Sequence, residues 1–127
     1  MFETVLFPID NSRQATETAA VALKLAQSHG SRLVILAVVE PEEGAMHDPR
    51  AVATLLENAR NSFSQAGINC EVIERGGRPA FVIGDVADEI NADVIVMGTR
   101  GIALEDDSQS TAARVIQLAP CPVLVVP

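Results

Sequence analysis

Residues 94–101 read VIVMGTRG, an apolar run followed at once by a loop that opens and closes with glycine. A short apolar run bounded by a turn signal is typical of a strand that is buried on both faces, as strands in parallel sheets are. Helical spacing precedes this run at 79–90 and follows the loop at about 110–118. The stretch therefore predicts a repeating unit of strand, loop and helix around a parallel sheet.

The same alternation extends along the whole chain. Apolar runs predict strands at 4–9, 33–39, 70–74, 94–97 and 123–126, with helical periodicity between them. Run 33–39 is apolar at every position, which favours a central place in the sheet, whereas run 70–74 is mixed, as an edge strand would be. With 127 residues and no linker or repeat, we expect a single domain over 1–127 with a doubly wound α/β fold and helices on both faces.

Helix ends are also marked in the sequence. Asn11 or Ser12 is the expected N-cap of the first helix, and Gly30 its left-handed stop. Asp48 followed by Pro49 predicts the cap and first turn of the second helix. The inward face of the first helix is predicted to be a narrow apolar stripe, made of Ala15, Ala19, Ala22, Leu23 and Ala26.

Composition excludes several classes of function. The net charge of −8 repels phosphate backbones and anionic membrane surfaces, so that neither nucleic acid nor a membrane is an expected partner. No basic-then-apolar leader and no apolar run of about 20 residues is present, so a cytoplasmic location is expected.

Catalytic and metal chemistry has no visible residues to carry it. Cys70, Cys121, His29 and His47 share no ligand spacing, so no metal site is predicted; the cysteines are interpreted as reduced core residues and the histidines as surface residues. Lys24, the one lysine, lies mid-helix, which excludes a P-loop. Without a histidine near a strand end, nucleophilic catalysis lacks its base, and the chain is predicted not to be an enzyme.

The candidate site lies where ligands bind in open parallel sheets, beyond the carboxyl ends of the strands. Asp10 follows the first strand, Val38 ends the second and Gly98 follows the fourth. For Asp10 two roles remain open, binding of a ribose, an adenine nitrogen or Mg²⁺, and capping of the next helix. The glycine loop from Gly98 to Gly101 is either an anion site that feeds a helix N-terminus or simply a tight turn.

Five segments together resemble the universal stress protein family over essentially the full length. They are VLFPIDNS at 5–12, LAVVEP at 36–41, GRP at 77–79, ADVIVMGTRG at 92–101 and APCPVLVV at 119–126. The resemblance implies a non-catalytic stress-response protein with strand order 3-2-1-4-5. It also implies a homodimer formed through the last strand, whose residues are Val123, Leu124, Val125 and Val126.

The resemblance further implies that the chain binds an adenine nucleotide, which is ATP, ADP or AMP, with or without Mg²⁺. By position, the adenosine would be surrounded by Pro8, Ile9, Asp10 and Val38, the last through its backbone. The phosphates would be held by Gly98, Arg100, Gly101 and Ser110.

The phosphate half of this pattern is altered. ATP-binding members place nine residues between G-x-x-G and a final glycine with Ser or Thr, whereas this chain has seven and carries Gln109 in place of that glycine. Residues 105–107 are three carboxylates, which repel phosphate unless Mg²⁺ or an outward orientation relieves them. AMP or ADP is therefore expected to fit better than ATP, and the alternative is a nucleotide-free interaction module that acts through its dimer surface.

Overall fold

Strands and helices alternate strictly along the chain. The computed structural model describes residues 2–99 and 111–127. Within these ranges the strands are β1 (Thr4–Ile9), β2 (Arg32–Val39), β3 (Cys70–Gly76), β4 (Val94–Gly98) and β5 (Val123–Val126). The helices are α1 (Ala15–His29), α2 (Pro49–Gln65), α3 (Pro79–Glu89) and α4 (Thr111–Leu118).

The strands form one parallel sheet in the order β3-β2-β1-β4-β5, which confirms the predicted order. Strands β1 and β5 have the predicted bounds, while β3 continues for two residues beyond 74 because its register with β2 runs on to Val39 and Gly76. The order reverses between β1 and β4, so that the carboxyl ends of these two strands flank the switch point where doubly wound folds bind ligands.

Helices cover both faces of the sheet, as predicted. One core lies between the sheet and helices α1 and α2, and it includes Phe7, Ala22 and Phe63. The other lies between the sheet and helices α3 and α4, and it includes Leu6 and Val115. Successive residues of β1 enter opposite cores because side chains alternate along a strand, which is why the central strands are apolar throughout.

The first helix begins later than predicted. Its N-cap is Gln14, without a side-chain capping bond, and not Asn11 or Ser12. Asp10 Oδ1 already accepts the N–H of Ser12 at 2.9 Å, and Ala15 N–H donates to the Ser12 carbonyl at 3.2 Å. Local hydrogen bonding of this kind competes with helix formation and delays the first helical turn.

Two other helix ends follow the sequence closely. Gly30 closes α1 in the left-handed conformation with φ of 60°, and the Asp48 carboxylate caps α2 by accepting the Arg50 N–H at 3.0 Å.

The two cysteines depart from their interpretation as core residues, because Cys70 and Cys121 are only half-buried. Partial burial raises the pKa of both thiols above its ordinary value, which favours their protonated form.

Candidate functional site

A cleft of about 240 Å³ opens at the carboxyl edge of the sheet, between the ends of β1, β2 and β4. Five of the predicted site residues line it: Pro8, Ile9, Asp10, Val38 and Gly98. Its apolar wall includes Ile83 and Met97, and Thr111 lies in its lining at the first residue of α4. The strand order therefore brings together residues that are far apart in sequence.

Arg100, Gly101 and Ser110, the predicted phosphate ligands, lie outside the described residues, as do the carboxylates at 105–107. Thr111, the next described residue along the chain, lies in the lining of the cleft.

Asp10 is exposed at the mouth of the cleft, at the turn between β1 and α1. Its Oδ1 accepts the Ser12 N–H, a bond that orients the carboxylate across the turn. Within the described part of the chain no hydrogen bond engages Oδ2. Asp10 thus stabilises a turn with one oxygen and lines the cleft, and it does not cap the helix itself.

The β2–α2 loop, residues 40–46, forms the opposite wall and is held by its own hydrogen bonds. Glu40 N–H donates to the Met46 carbonyl at 2.9 Å, and Glu40 Oε2 accepts the Met46 N–H at 3.2 Å. The Met46 side chain is buried, which anchors the end of the loop in the core beneath. Asn11 Nδ2 donates to the Ala45 carbonyl at 3.2 Å and so ties this loop to the β1–α1 turn.

Two polar side chains beside the site were missed by the sequence patterns. Gln14, the N-cap of α1, and Thr18, in its first turn, are both buried against the end of β4 at Gly98. The predicted stripe counted apolar residues only, so a buried threonine at the same helical face was passed over. The available signal was its spacing, because Thr18 lies four residues before Ala22 and eight before Ala26, which are both fully buried.

The charges of the described walls favour ligands that donate hydrogen bonds over ligands that carry negative charge. Asp10 and Glu40 contribute two carboxylates to the lining, and the described lining residues include no lysine or arginine. Hydroxyl and amine groups of a ligand can donate to these carboxylates, and apolar rings can pack against Val38, Ile83 and Met97. The described walls thus suit a ligand that combines hydroxyl or amine donors with an apolar ring.

In residues 2–99 and 111–127, no three side chains of His, Cys, Asp or Glu converge as a cation site would require. None of the helices in those ranges has the length and apolarity to cross a bilayer.

Sequence comparison identifies the family. The chain matches the Universal stress protein family over residues 1–127. It belongs to the universal stress protein family. A curated relative, Universal stress protein Sll1654 of Synechocystis sp., is 52% identical over 136 residues, an alignment that covers 100% of this chain and 87% of the relative.

Solved structures show the same fold. A universal stress protein in complex with cAMP superposes with a TM-score of 0.81 at 24% identity, covering 98% of this chain and 97% of that one. The universal stress protein of Archaeoglobus fulgidus in complex with dAMP superposes with a TM-score of 0.79 at 22% identity, covering 100% of both chains. Both of those proteins bind an adenine nucleotide.

Proposed function

We propose that this universal stress protein binds an adenine nucleotide in the cleft at the carboxyl edge of the sheet and acts without catalysis, as a homodimer in the stress response. The observation that carries the proposal is the convergence of Asp10, Val38 and Gly98 on one cleft at the switch point of the sheet. The adenine nucleotides bound by two proteins of the same fold support this choice of ligand.

The ribose would bind at Asp10. Its Oδ1 is engaged by the Ser12 N–H, so the carboxylate is already oriented, and Oδ2 can accept a ribose hydroxyl. The adenine would pack against the apolar wall that Val38, Ile83 and Met97 provide, with the Val38 backbone as its hydrogen-bonding partner.

The number of phosphates would be small. The cleft volume of about 240 Å³ lies below the roughly 300–1,000 Å³ that ligand pockets typically measure. Asp10 and Glu40 in the walls, and the three carboxylates at 105–107 in the sequence, all repel a highly charged ligand. We therefore expect AMP and ADP to bind more tightly than ATP, and Mg²⁺ to reduce the difference by neutralising phosphate charge.

The proposal of a non-catalytic protein rests on the chemistry of the walls. The described lining residues include no histidine, cysteine or lysine, so they offer neither a neutral-pH imidazole base nor an ammonium group to stabilise a departing phosphate. A binding protein whose nucleotide changes its shape or its choice of partner fits this set of residues better than a hydrolase does.

The homodimer would form through β5, at the edge of the sheet. An edge strand presents unpaired backbone groups, and proteins normally pair or cover such an edge. Leu124 on this strand is 40% exposed, and Ile116 on the adjoining helix α4 is 56% exposed. Pairing of β5 with its copy would satisfy the edge and bury these apolar side chains. We propose a cytoplasmic location for the dimer, in keeping with its acidic composition.

The decisive experiment is to denature the freshly purified protein and identify the released small molecules by mass spectrometry. Melting temperatures are then measured with AMP, ADP and ATP at saturating concentrations, each with and without Mg²⁺. A ligand that binds only the folded state raises the melting temperature, by an amount that grows with its concentration. If no nucleotide is released and none of the six additions raises the melting temperature, the nucleotide-binding proposal is wrong and the interaction module is favoured. Phosphate release from ATP above a buffer control would contradict the non-catalytic part of the proposal.

A further inference from the structure

Gly98, the last residue of β4, lies so close to α1 that no side chain fits there. A Cβ built on Gly98 would lie 2.9 Å from Thr18 Oγ1, closer than real Cβ contacts. The same Cβ would lie 3.8 Å from Gln14 Oε1 and from the Val126 carbonyl oxygen. The glycine is thus required by close packing and not by a left-handed backbone, since the left-handed glycines of the described chain are Gly30, Gly67 and Gly77.

Thr18 has no room to move away. Its side chain is 3% exposed, and Oγ1 donates to the Gln14 carbonyl at 3.2 Å within the first turn of α1. A β-branched side chain in a helix has few allowed rotamers, and a buried, hydrogen-bonded one has fewer still. Thr18 is therefore the side chain through which α1 packs most closely against the end of β4.

The buried Gln14 side chain indicates that the close approach of α1 to β4 is retained at a cost in folding stability. Its side chain is 9% exposed, and Oε1 is buried without a hydrogen-bond partner in the described chain. An unsatisfied buried acceptor destabilises a fold, so native proteins keep few of them, and those commonly lie near functional sites.

We propose that Thr18 is a positioning residue for the nucleotide site: through its contact with Gly98 it fixes the position of the end of β4 in the lining of the cleft. Gly98 lines the cleft, whereas Thr18 acts only through Gly98. The inference rests on the proposed function, because it assigns the first turn of α1 a role in nucleotide affinity. A shift of the helix relative to β4 would then change the affinity without any contact between the helix and the ligand.

The test is a double-mutant cycle on the full chain, with the dissociation constant for AMP measured by calorimetry and folding checked by circular dichroism. Gly98→Ala forces the new methyl group against Thr18 and should weaken AMP binding about tenfold, within the coupling expected of residues in contact. Adding Thr18→Ala removes Oγ1 and should return the affinity to within about threefold of the wild type. Thr18→Val keeps the branched shape, so the matched control Gly98→Ala with Thr18→Val should stay weak.

The possible results distinguish a failure of this inference from a failure of the proposed function. If the wild type binds AMP and the Thr18→Ala rescue fails in a folded double variant, or if Gly98→Ala leaves the affinity unchanged, the positioning role is wrong and the nucleotide site stands. If the wild type binds none of AMP, ADP and ATP, the proposed function is wrong and this inference falls with it.

If Gly98→Ala does not fold, the positioning role of Thr18 is tested by comparing Thr18→Ala with Thr18→Val in chains that keep Gly98. Valine keeps the packing surface and should preserve the affinity, whereas alanine should weaken it about threefold, because the end of β4 loses the surface against which it packs. Equal affinities in these two variants would contradict the inference.

Discussion

Asn11 Nδ2 donates a hydrogen bond of 3.2 Å to the carbonyl oxygen of Ala45. The two residues belong to different loops, the β1–α1 turn that carries Asp10 and the β2–α2 loop that carries Glu40. This bond links two walls of the cleft. Since both loops lie at the surface, we expect loss of the bond to change ligand affinity more than folding stability.

Asn11→Ala should weaken AMP binding by about tenfold or less while barely changing the melting temperature. The reason is that an exposed hydrogen bond contributes only about 0.5–1.5 kcal/mol, here to the relative position of two loops and not to the core. Gln27→Ala is the matched control, because Gln27 Nε2 also donates to a distant carbonyl, that of Ala66 at 3.4 Å, near the ends of α1 and α2 at the edge of the sheet opposite the cleft. Equal affinities in wild type, Asn11→Ala and Gln27→Ala would show that the two loops are positioned by other contacts.

Asp10→Asn and Asp10→Ala should separate the two roles of this carboxylate. Asparagine keeps an acceptor for the Ser12 N–H and loses the charge, whereas alanine loses both. We expect both variants to bind AMP more weakly, by about tenfold or more, because a hydrogen bond to a charged acceptor contributes roughly 1.5–3 kcal/mol. Only Asp10→Ala should also lower the melting temperature. Unchanged affinity in Asp10→Asn would mean that the carboxylate charge does not meet the ligand.

The sheet was predictable because its central strands are apolar at every position. Run 33–39 became β2, paired with β1 on one side and β3 on the other, and its residues enter both cores. The start of α1 was predicted wrongly, because Asn11 and Ser12 are good capping residues that here serve a turn. Capping preference is local, and it cannot report that Asp10 Oδ1 takes the Ser12 N–H first.

The cleft was predictable in part for a similar reason. Asp10, Val38 and Gly98 follow or end apolar runs, and parallel strands bring such positions to one edge. The spacing of Thr18 could have predicted its burial, but its contact with Gly98 could not be predicted, since that contact depends on how closely α1 approaches β4. That distance is a property of tertiary packing: it makes Gly98 a steric requirement, and no pattern in either segment records it.

Leu124→Lys should convert a dimer into a monomer. A lysine on an edge strand opposes pairing with a second copy, because two charges would meet near the symmetry axis and lose hydration. Sedimentation velocity at several protein concentrations provides the measurement. Phe81→Lys serves as control, since Phe81 is 48% exposed on α3 and not on β5. A wild type that sediments as a monomer would refute the β5 dimer, and a Leu124→Lys dimer would place the interface elsewhere.

Glu71→Gln should reduce stability only where the carboxylate is ionised. Arg32 Nη2 and Nε both donate to Glu71, the first at 2.8 Å, and these hydrogen bonds lower the pKa of Glu71 below its ordinary value of 4.5. A depressed pKa in the folded state means that the pair stabilises the protein above that ordinary value and loses its effect as the pH falls through the folded pKa.

The expected loss in Glu71→Gln at pH 7 is about 1 kcal/mol or less, because both side chains are about half exposed and solvent screens the pair. Urea denaturation at pH 7, 5, 4 and 3 should show the difference from wild type shrinking below pH 4.5. Glu57→Gln is the control, since the Arg60–Glu57 pair spans 3.9 Å and should contribute less at every pH. A difference between wild type and Glu71→Gln that stays constant down to pH 3 would show that the glutamate stabilises β3 by packing and not by its charge.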